Sequence, residues 1–243
     1  MPLRSEIDPA GEAARPRTGS SWRPIFEGIH NAIVRHRIEP GARLAEEEIA
    51  EIYGVSRTVV RAALQTLAQD GVLIIERNKG ARVARPTPEE AREIFEARAA
   101  IEPEIARRAA ERRDAAGAAR LRALIAAEHE ALDADRRREA VFLSAEFHRV
   151  VAAVAGHGVL AEILNELLSR SSLVISLYGR QPDGLCRNEA HLALADALER
   201  GEGEAAARLM REHVEALLAG LDLAPPTPRT SDLAEALRPA SDA

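Results

Sequence analysis

Apolar residues recur at helical spacing along most of this chain, and the places where that rhythm stops mark its divisions. Ile25, Ile29 and Ile33 share one face and predict a first helix over about residues 24–36. Pro40-Gly41 interrupts it with a strong turn signal. A short second helix is expected over residues 45–53. After Gly54 comes a third, with Val60, Leu64 and Leu67 repeating on its inner side. Asp70-Gly71 closes that helix, and the period then changes. Residues 72–75 are rich in β-branched side chains, Arg77-Asn78-Lys79-Gly80 suits a hairpin turn, and residues 81–84 form a return strand. Three helices followed by a hairpin predict a winged helix-turn-helix over residues 22–85.

Beyond Pro86 the period is helical again. Thr87 as N-cap, Pro88 at the first helical position and Glu90 at the third make a capping box. Helical spacing continues to about residue 221, with breaks near Asp114, residues 133–137, residues 156–158, Pro182-Asp183-Gly184 and residues 201–203. This predicts about six helices and no strand over residues 88–221, an antiparallel all-α bundle whose first helix is kinked at Pro103. Residues 1–21 and 222–243 lack periodicity and are expected to be disordered tails. The fold class is therefore mainly α, a winged helix-turn-helix joined to a helical bundle.

Composition narrows what such a chain does. Aromatic residues are only 3% and Lys79 is the sole lysine, while alanine and arginine are abundant and favour helices. No apolar run is long enough to span a membrane, and no secretory h-region opens the chain. One cysteine, Cys186, excludes an internal disulfide and fits a cytoplasmic protein. The net charge of −6 disfavours indiscriminate coating of nucleic acid. Residues 22–85 nevertheless hold ten arginines and lysines against eight acidic residues, which leaves −8 on the remainder. A slightly basic module on an acidic body suits site-specific DNA binding.

The chemistry of that module sits at the start of its third helix. Ser56 is placed to cap the helix with its hydroxyl, and Arg57 and Arg61 lie four apart on one face with Thr58 beside them. Guanidinium forks there can pair with guanine or with phosphate. Taken alone, the stretch equally describes a solvated helix with two surface arginines. The hairpin at the right distance, with Arg77 and Lys79 at its tip, decides for DNA binding.

Residues 22–84 resemble the DNA-binding domain of the GntR family of bacterial transcription regulators. The resemblance rests on Pro40-Gly41-Ala42-Arg43-Leu44, Ile49-Ala50, Gly54-Val55-Ser56-Arg57-Thr58, Val60-Arg61, Ala63-Leu64, Leu67, Asp70-Gly71 and Gly80-Ala81-Arg82-Val83. It implies operator contacts by Ser56, Arg57, Thr58 and Arg61, and wing contacts at Gly80 and its neighbour Lys79. Two departures stand out: Val59 and Ala62 occupy positions where the family often has Pro and Glu. A further DNA-contacting arginine of the family falls on Glu47 here, so that role is not carried over.

In the second domain, His191 lies eleven residues before Glu202 and His213 eleven after it. In an antiparallel helix pair these equal distances from the turn put both imidazoles at one height. Leu194 and Leu198 on one helix, and Leu209 and Leu217 on the other, indicate an inward direction. His148, beside Phe147 and Val151, is available from a third helix. Three neutral imidazoles meeting in a core make a divalent-metal site, for zinc first and for nickel or another borderline ion next. The alternative is three separate histidines, each hydrogen-bonded or on the surface.

Residues 88–220 resemble the FCD effector domain of the FadR-type branch of that family, through Arg98-Ala99-Ala100-Ile101-Glu102, Phe147-His148, Ala155-Gly156, Glu189-Ala190-His191 and Met210-Arg211-Glu212-His213. The resemblance implies a metal held by three histidines and an Asp four residues before the first. Here that position is Ser144, which can hold a water or a ligand oxygen instead, at a cost in metal affinity. Arg98 is a candidate partner for an effector carboxylate; the alternative is a surface pair with Glu102. Ser169, Ser171, Ser172 and Ser176 are further candidates to line the pocket.

The expected function is a non-enzymatic transcription regulator, a repressor acting as a homodimer on a pseudo-palindromic DNA operator and modulated by a small organic acid, with no membrane partner. Two alternatives make the metal itself the signal, or make the site a metal-dependent hydrolase. Against the hydrolase stands the lack of an HExxH-type motif, a general base at fixed spacing or a nucleophile elbow.

Overall fold

The computed structural model describes residues 21–76, 80–112, 114–179 and 189–224. Both expected tails, apart from residues 21 and 222–224, lie outside the described residues, as do Arg77, Asn78 and Lys79 of the expected hairpin turn, Pro182-Asp183-Gly184 and Cys186. The amino-terminal part runs α1 (Arg23–Val34), β1 (Arg43–Leu44), α2 (Glu46–Tyr53), α3 (Arg57–Gln69), β2 (Leu73–Glu76) and β3 (Gly80–Val83). The carboxy-terminal part is α4 (Pro88–Arg112), α5 (Ala115–Asp133), α6 (Arg137–Ala155), α7 (Gly158–Tyr178), α8 (Glu189–Arg200) and α9 (Gly203–Ala219).

The inner faces anticipated for the first three helices are the buried ones. Ile25, Ile29 and Ile33 of α1 meet Val60, Leu64 and Leu67 of α3 over Leu73, Ala81 and Val83 of the sheet. Burying each larger side chain is worth about 2 kcal/mol. The sheet has three strands rather than two, in the order β1-β3-β2 and antiparallel throughout, with Leu44 opposite Ala81 and Leu73 opposite Val83. The added strand β1 is two residues long, too short to show any period. Gly80 opens β3 at φ +84°, and a Cβ there would stand 3.0 Å from the Leu44 carbonyl oxygen, so the hairpin admits only glycine without strain.

Two local expectations are corrected. Helix α1 ends at Val34 rather than near residue 36, because His36 turns into the left-handed region at φ +54°. Ser56 occupies the N-cap of α3 in extended conformation, but its hydroxyl makes no capping bond. Its carbonyl instead receives the Val59 and Val60 N–H groups at 3.0 and 3.3 Å, and the exposed side chain stays free.

In the bundle, α4 packs most extensively on α9 and also against α6, α7 and α8. The capping box forms as expected: Glu90 N–H donates to Thr87 Oγ1 at 3.2 Å and Thr87 N–H to Glu90 Oε2 at 2.7 Å. Helix α4 runs without a break through the buried Pro103. No helix among the described residues is long and apolar enough to cross a membrane.

The two parts touch along α1 and α7. Leu173 of α7 is buried in the amino-terminal core. His36 Nε2 lies 2.9 Å from Ser172 Oγ, and His30 Nε2 lies 2.8 Å from Ser169 Oγ. Arg35 stacks 3.7 Å over the Phe142 ring, and Arg138 pairs with Glu39 at 3.0 Å.

Candidate DNA interface and histidine centre

Helix α3 owes its exposed start to the turn before it. Gly54 caps α2 at φ +63°, in the left-handed region, and lets the chain reverse direction. Arg57, Thr58 and Arg61 then project from faces neighbouring the buried Val60 and Leu64, all three exposed. Arg57 and Arg61 border a cleft with Arg43, Gln65, Ile75 and Gly80, between the helix and the wing sheet. Glu46, at the first position of α2, reaches both arginines. Arg61 donates through Nε at 2.9 Å and Nη2 at 2.7 Å, and Arg57 through Nη2 at 3.1 Å. Glu47 takes Arg57 Nη1 at 2.7 Å. The Glu46 carboxyl sits below the usual carboxylate range, chiefly through the hydrogen bonds from Arg61. Sequence reasoning named the arginines and missed this carboxylate. Lys79, the wing cation, lies outside the described residues, and Gly80 stands at the cleft's edge.

The three histidines converge. His213 Nε2 lies 3.2 Å from both His191 Nε2 and His148 Nε2, and all three side chains are buried. Equal spacing from the α8–α9 turn did place His191 and His213 in one layer. Phe147 stacks on the His191 ring, with centroids 4.2 Å apart, and fixes its plane. Separate surface histidines are thereby excluded.

Two buried carboxylates stand behind the rings. Glu102 of α4 bonds His148 Nδ1, and Glu128 of α5 bonds His191 Nδ1 at 2.8 Å. Each carboxylate accepts an Nδ1–H, which leaves a lone pair on the Nε2 facing the centre. Three inward nitrogens then share at most the one proton that His213 Nε2 can carry. Burial lowers the pKa of both His148 and His213, so neutral imidazoles are the stable form. The ligand atoms lie within 4.8 Å of one another. A donor set of this composition and tautomer fits a divalent cation.

Arg98 is not a surface residue. It pairs with Glu102 four residues on, Nε to Oε1 at 2.6 Å, but the two side chains are 2% and 1% exposed. Burial raises the Glu102 pKa, yet Arg98 and then His148 outweigh it, and the carboxyl stays ionised. Its four-residue spacing is also that of Glu104–Arg108, a more exposed pair on the same helix, so spacing alone did not reveal the burial.

Arg98, Ser144 and His148 line one cleft with Glu128, Ser171 and Ser172. It contains about 530 Å³ free of protein atoms, mouth included, of which about 30 Å³ admits the centre of a water molecule. Ser169 turns to His30 instead, and Ser176 is not among the lining residues.

A winged helix on a histidine-centred bundle defines a class, the two-domain DNA-binding regulator. Residues 23–83 match the bacterial regulatory proteins of the gntR family, and residues 93–216 match the FCD domain. The HTH-type transcriptional repressor RspR of Escherichia coli K12 is 26% identical over 194 residues, covering 79% of this chain and 84% of that one. A Paenarthrobacter nicotinovorans protein described as "Probable D-xylose utilization operon transcriptional repressor" is 31% identical over 186 residues, covering 76% and 82%. The crystal structure of a GntR regulator from Rhodococcus sp. RHA1 shares the fold at a TM-score of 0.69 and 24% identity, over 82% of this chain and 95% of that one. The chain belongs to the gntR family, in its FadR-type branch with an FCD domain. It is a transcription regulator, not an enzyme, and the hydrolase alternative falls with that.

Proposed function

We propose that this protein is a repressor whose hold on a pseudo-palindromic operator is governed by a small carboxylate bound above a divalent ion in the bundle. The observation that carries this reading is the convergence of His148, His191 and His213 beside a cleft that His148 lines together with Arg98 and Ser144. The three Nε2 atoms would hold the ion, zinc first among candidates, and a bound zinc supplies a Lewis-acidic position open to an oxygen ligand. Glu102 and Glu128 orient two of the rings.

Charge selects the effector. Arg98 offsets Glu102, so a divalent ion with Glu128 leaves the centre about one unit positive. An aspartate at position 144 would cancel that unit; Ser144 does not, and the balance favours an anionic ligand. Arg98 supplies the guanidinium for its second oxygen. Ser172 lines this cleft and also bonds His36 beneath α1, so an occupant of the cleft bears on how the DNA-binding part is seated. The acid acts only by its differential affinity for two seatings.

On the DNA side, Arg57 and Arg61 read bases, while Ser56, Thr58, Gly80 and Lys79 serve as backbone contacts. Two copies of the chain match the two-fold symmetry of the operator. The two repressors among the relatives support the sign of regulation.

The test is equilibrium dialysis with zinc on the chelator-treated protein and on His191→Ala, followed by operator titrations with short carboxylic acids. Zinc uptake by the wild type alone, and release of operator on adding an acid, are expected. Negligible uptake by both proteins ends the reading. The little room the cleft leaves for the centre of even a water molecule favours one rival, in which the ion alone is the signal; operator release by zinc without any acid identifies it.

A further inference from the structure

We propose that Glu46 is a specificity-determining residue that positions Arg57 and Arg61 for base reading. The proposal rests on the reading of those two arginines as base contacts.

Arg61 lays its Nε–Nη2 edge along both oxygens of Glu46, at 2.9 and 2.7 Å. A guanidinium has five N–H groups, so this edge-on pairing leaves Nη1 and the second Nη2 hydrogen for another acceptor. That remaining end is the fork that grips guanine O6 and N7. The Glu46 side chain is 13% exposed against 54% for Arg61, so the carboxylate is the fixed partner and the arginine tip the presented one. Glu46 is itself held at the first turn of α2, where the helix dipole favours an anion. Arg57 leans on the same oxygen at 3.1 Å and on Glu47 at 2.7 Å.

Two consequences follow. The arginines lose rotational freedom before DNA arrives, so less is lost on binding. Two carboxylates against two guanidinium groups also cancel the local charge, which weakens phosphate attraction common to every sequence. The cluster gives up general affinity and keeps discrimination. The acidic Glu47, paired with Arg57, acts in the same direction.

The experiment selects bound duplexes from a randomised pool with the full-length wild type, Glu46→Gln, Arg61→Ala and the double variant. It then measures salt-dependent affinity on the selected duplex and on a scrambled one. For Glu46→Gln, preference for guanine at the position lost in Arg61→Ala is expected to fall about tenfold. Affinity for the scrambled duplex should rise, with a salt dependence steeper by about one counterion. The double variant should show no loss beyond Arg61→Ala at that position. A base profile unchanged in Glu46→Gln, with affinity raised equally on all duplexes, overturns the proposal while leaving base reading by Arg61 intact. A profile unchanged in Arg61→Ala overturns the underlying reading and the proposal together. If Glu46→Gln lowers the melting temperature, Glu46→Asp, which keeps the anion at the helix start but draws it back from the arginines, carries the test, with flattening expected at the position lost in Arg61→Ala; an unchanged profile there overturns the proposal.

Discussion

His36 and Ser172 meet through a buried hydrogen bond of 2.9 Å that joins the DNA-binding part to the bundle. Ser172 Oγ also lies 3.2 Å from the Val34 carbonyl oxygen, to which only its O–H can donate. Ser172 must therefore accept from His36, which fixes the imidazole as the Nε2–H tautomer. His36 reaches this place by adopting φ +54°, a conformation costly for a non-glycine residue.

Ser172→Ala is expected to leave the His36 N–H and the Val34 carbonyl without a buried partner, at a cost of about 1–3 kcal/mol. Amide exchange of α1 should quicken, while that of α8 and α9, which lack this contact, stays as it was. Unchanged exchange in α1 would mean the two parts are held by other contacts alone.

The same seam is sensitive to acid. Burial, reinforced by Arg149 and opposed by Glu146, takes the His30 pKa from 6.5 down to about 4. His36 is lowered in the same sense by burial, with Arg138 adding and Glu39 opposing. The seated form thus disfavours protonation relative to the free chain. Its advantage is complete above pH 6.5 and is lost progressively as pH falls toward about 4. Melting curves across that range should show the decline, and His30→Gln should flatten it.

The two carboxylates behind the histidines separate by stability. Glu102→Gln leaves Arg98 buried without its counter-charge, and a loss of about 3–5 kcal/mol is expected. Glu128→Gln leaves no such orphan; its effect should fall on zinc affinity, lowered about 10–100-fold. Chemical denaturation and zinc titration of the two variants check the contrast.

Gly80→Ala tests the wing. The added Cβ meets the Leu44 carbonyl oxygen at φ +84°, with an expected cost of about 1–3 kcal/mol. Operator affinity should fall with β3 pairing; wild-type affinity would show that the wing does not contribute.

Much of this protein is written locally in its chain. Helix phase alone placed Val60, Leu64 and Leu67 inward and Arg57 and Arg61 outward, because one face of a 3.6-residue repeat must be buried. Thr87 and Glu90 announced the start of α4, since capping is satisfied by near neighbours. Symmetry about a turn put His191 opposite His213 without any knowledge of the bundle. Beyond that range the sequence was silent. Arg98–Glu102 has the spacing of any solvated helix pair, and only the packing of α6, α7 and α9 around α4 puts it in the dark and gives Glu102 to His148. Glu128 and Glu46 had no signal at all, since each acts across a contact between elements far apart in the chain. Partners within a turn are fixed by backbone geometry; partners between helices exist only once the apolar faces have chosen how to pack.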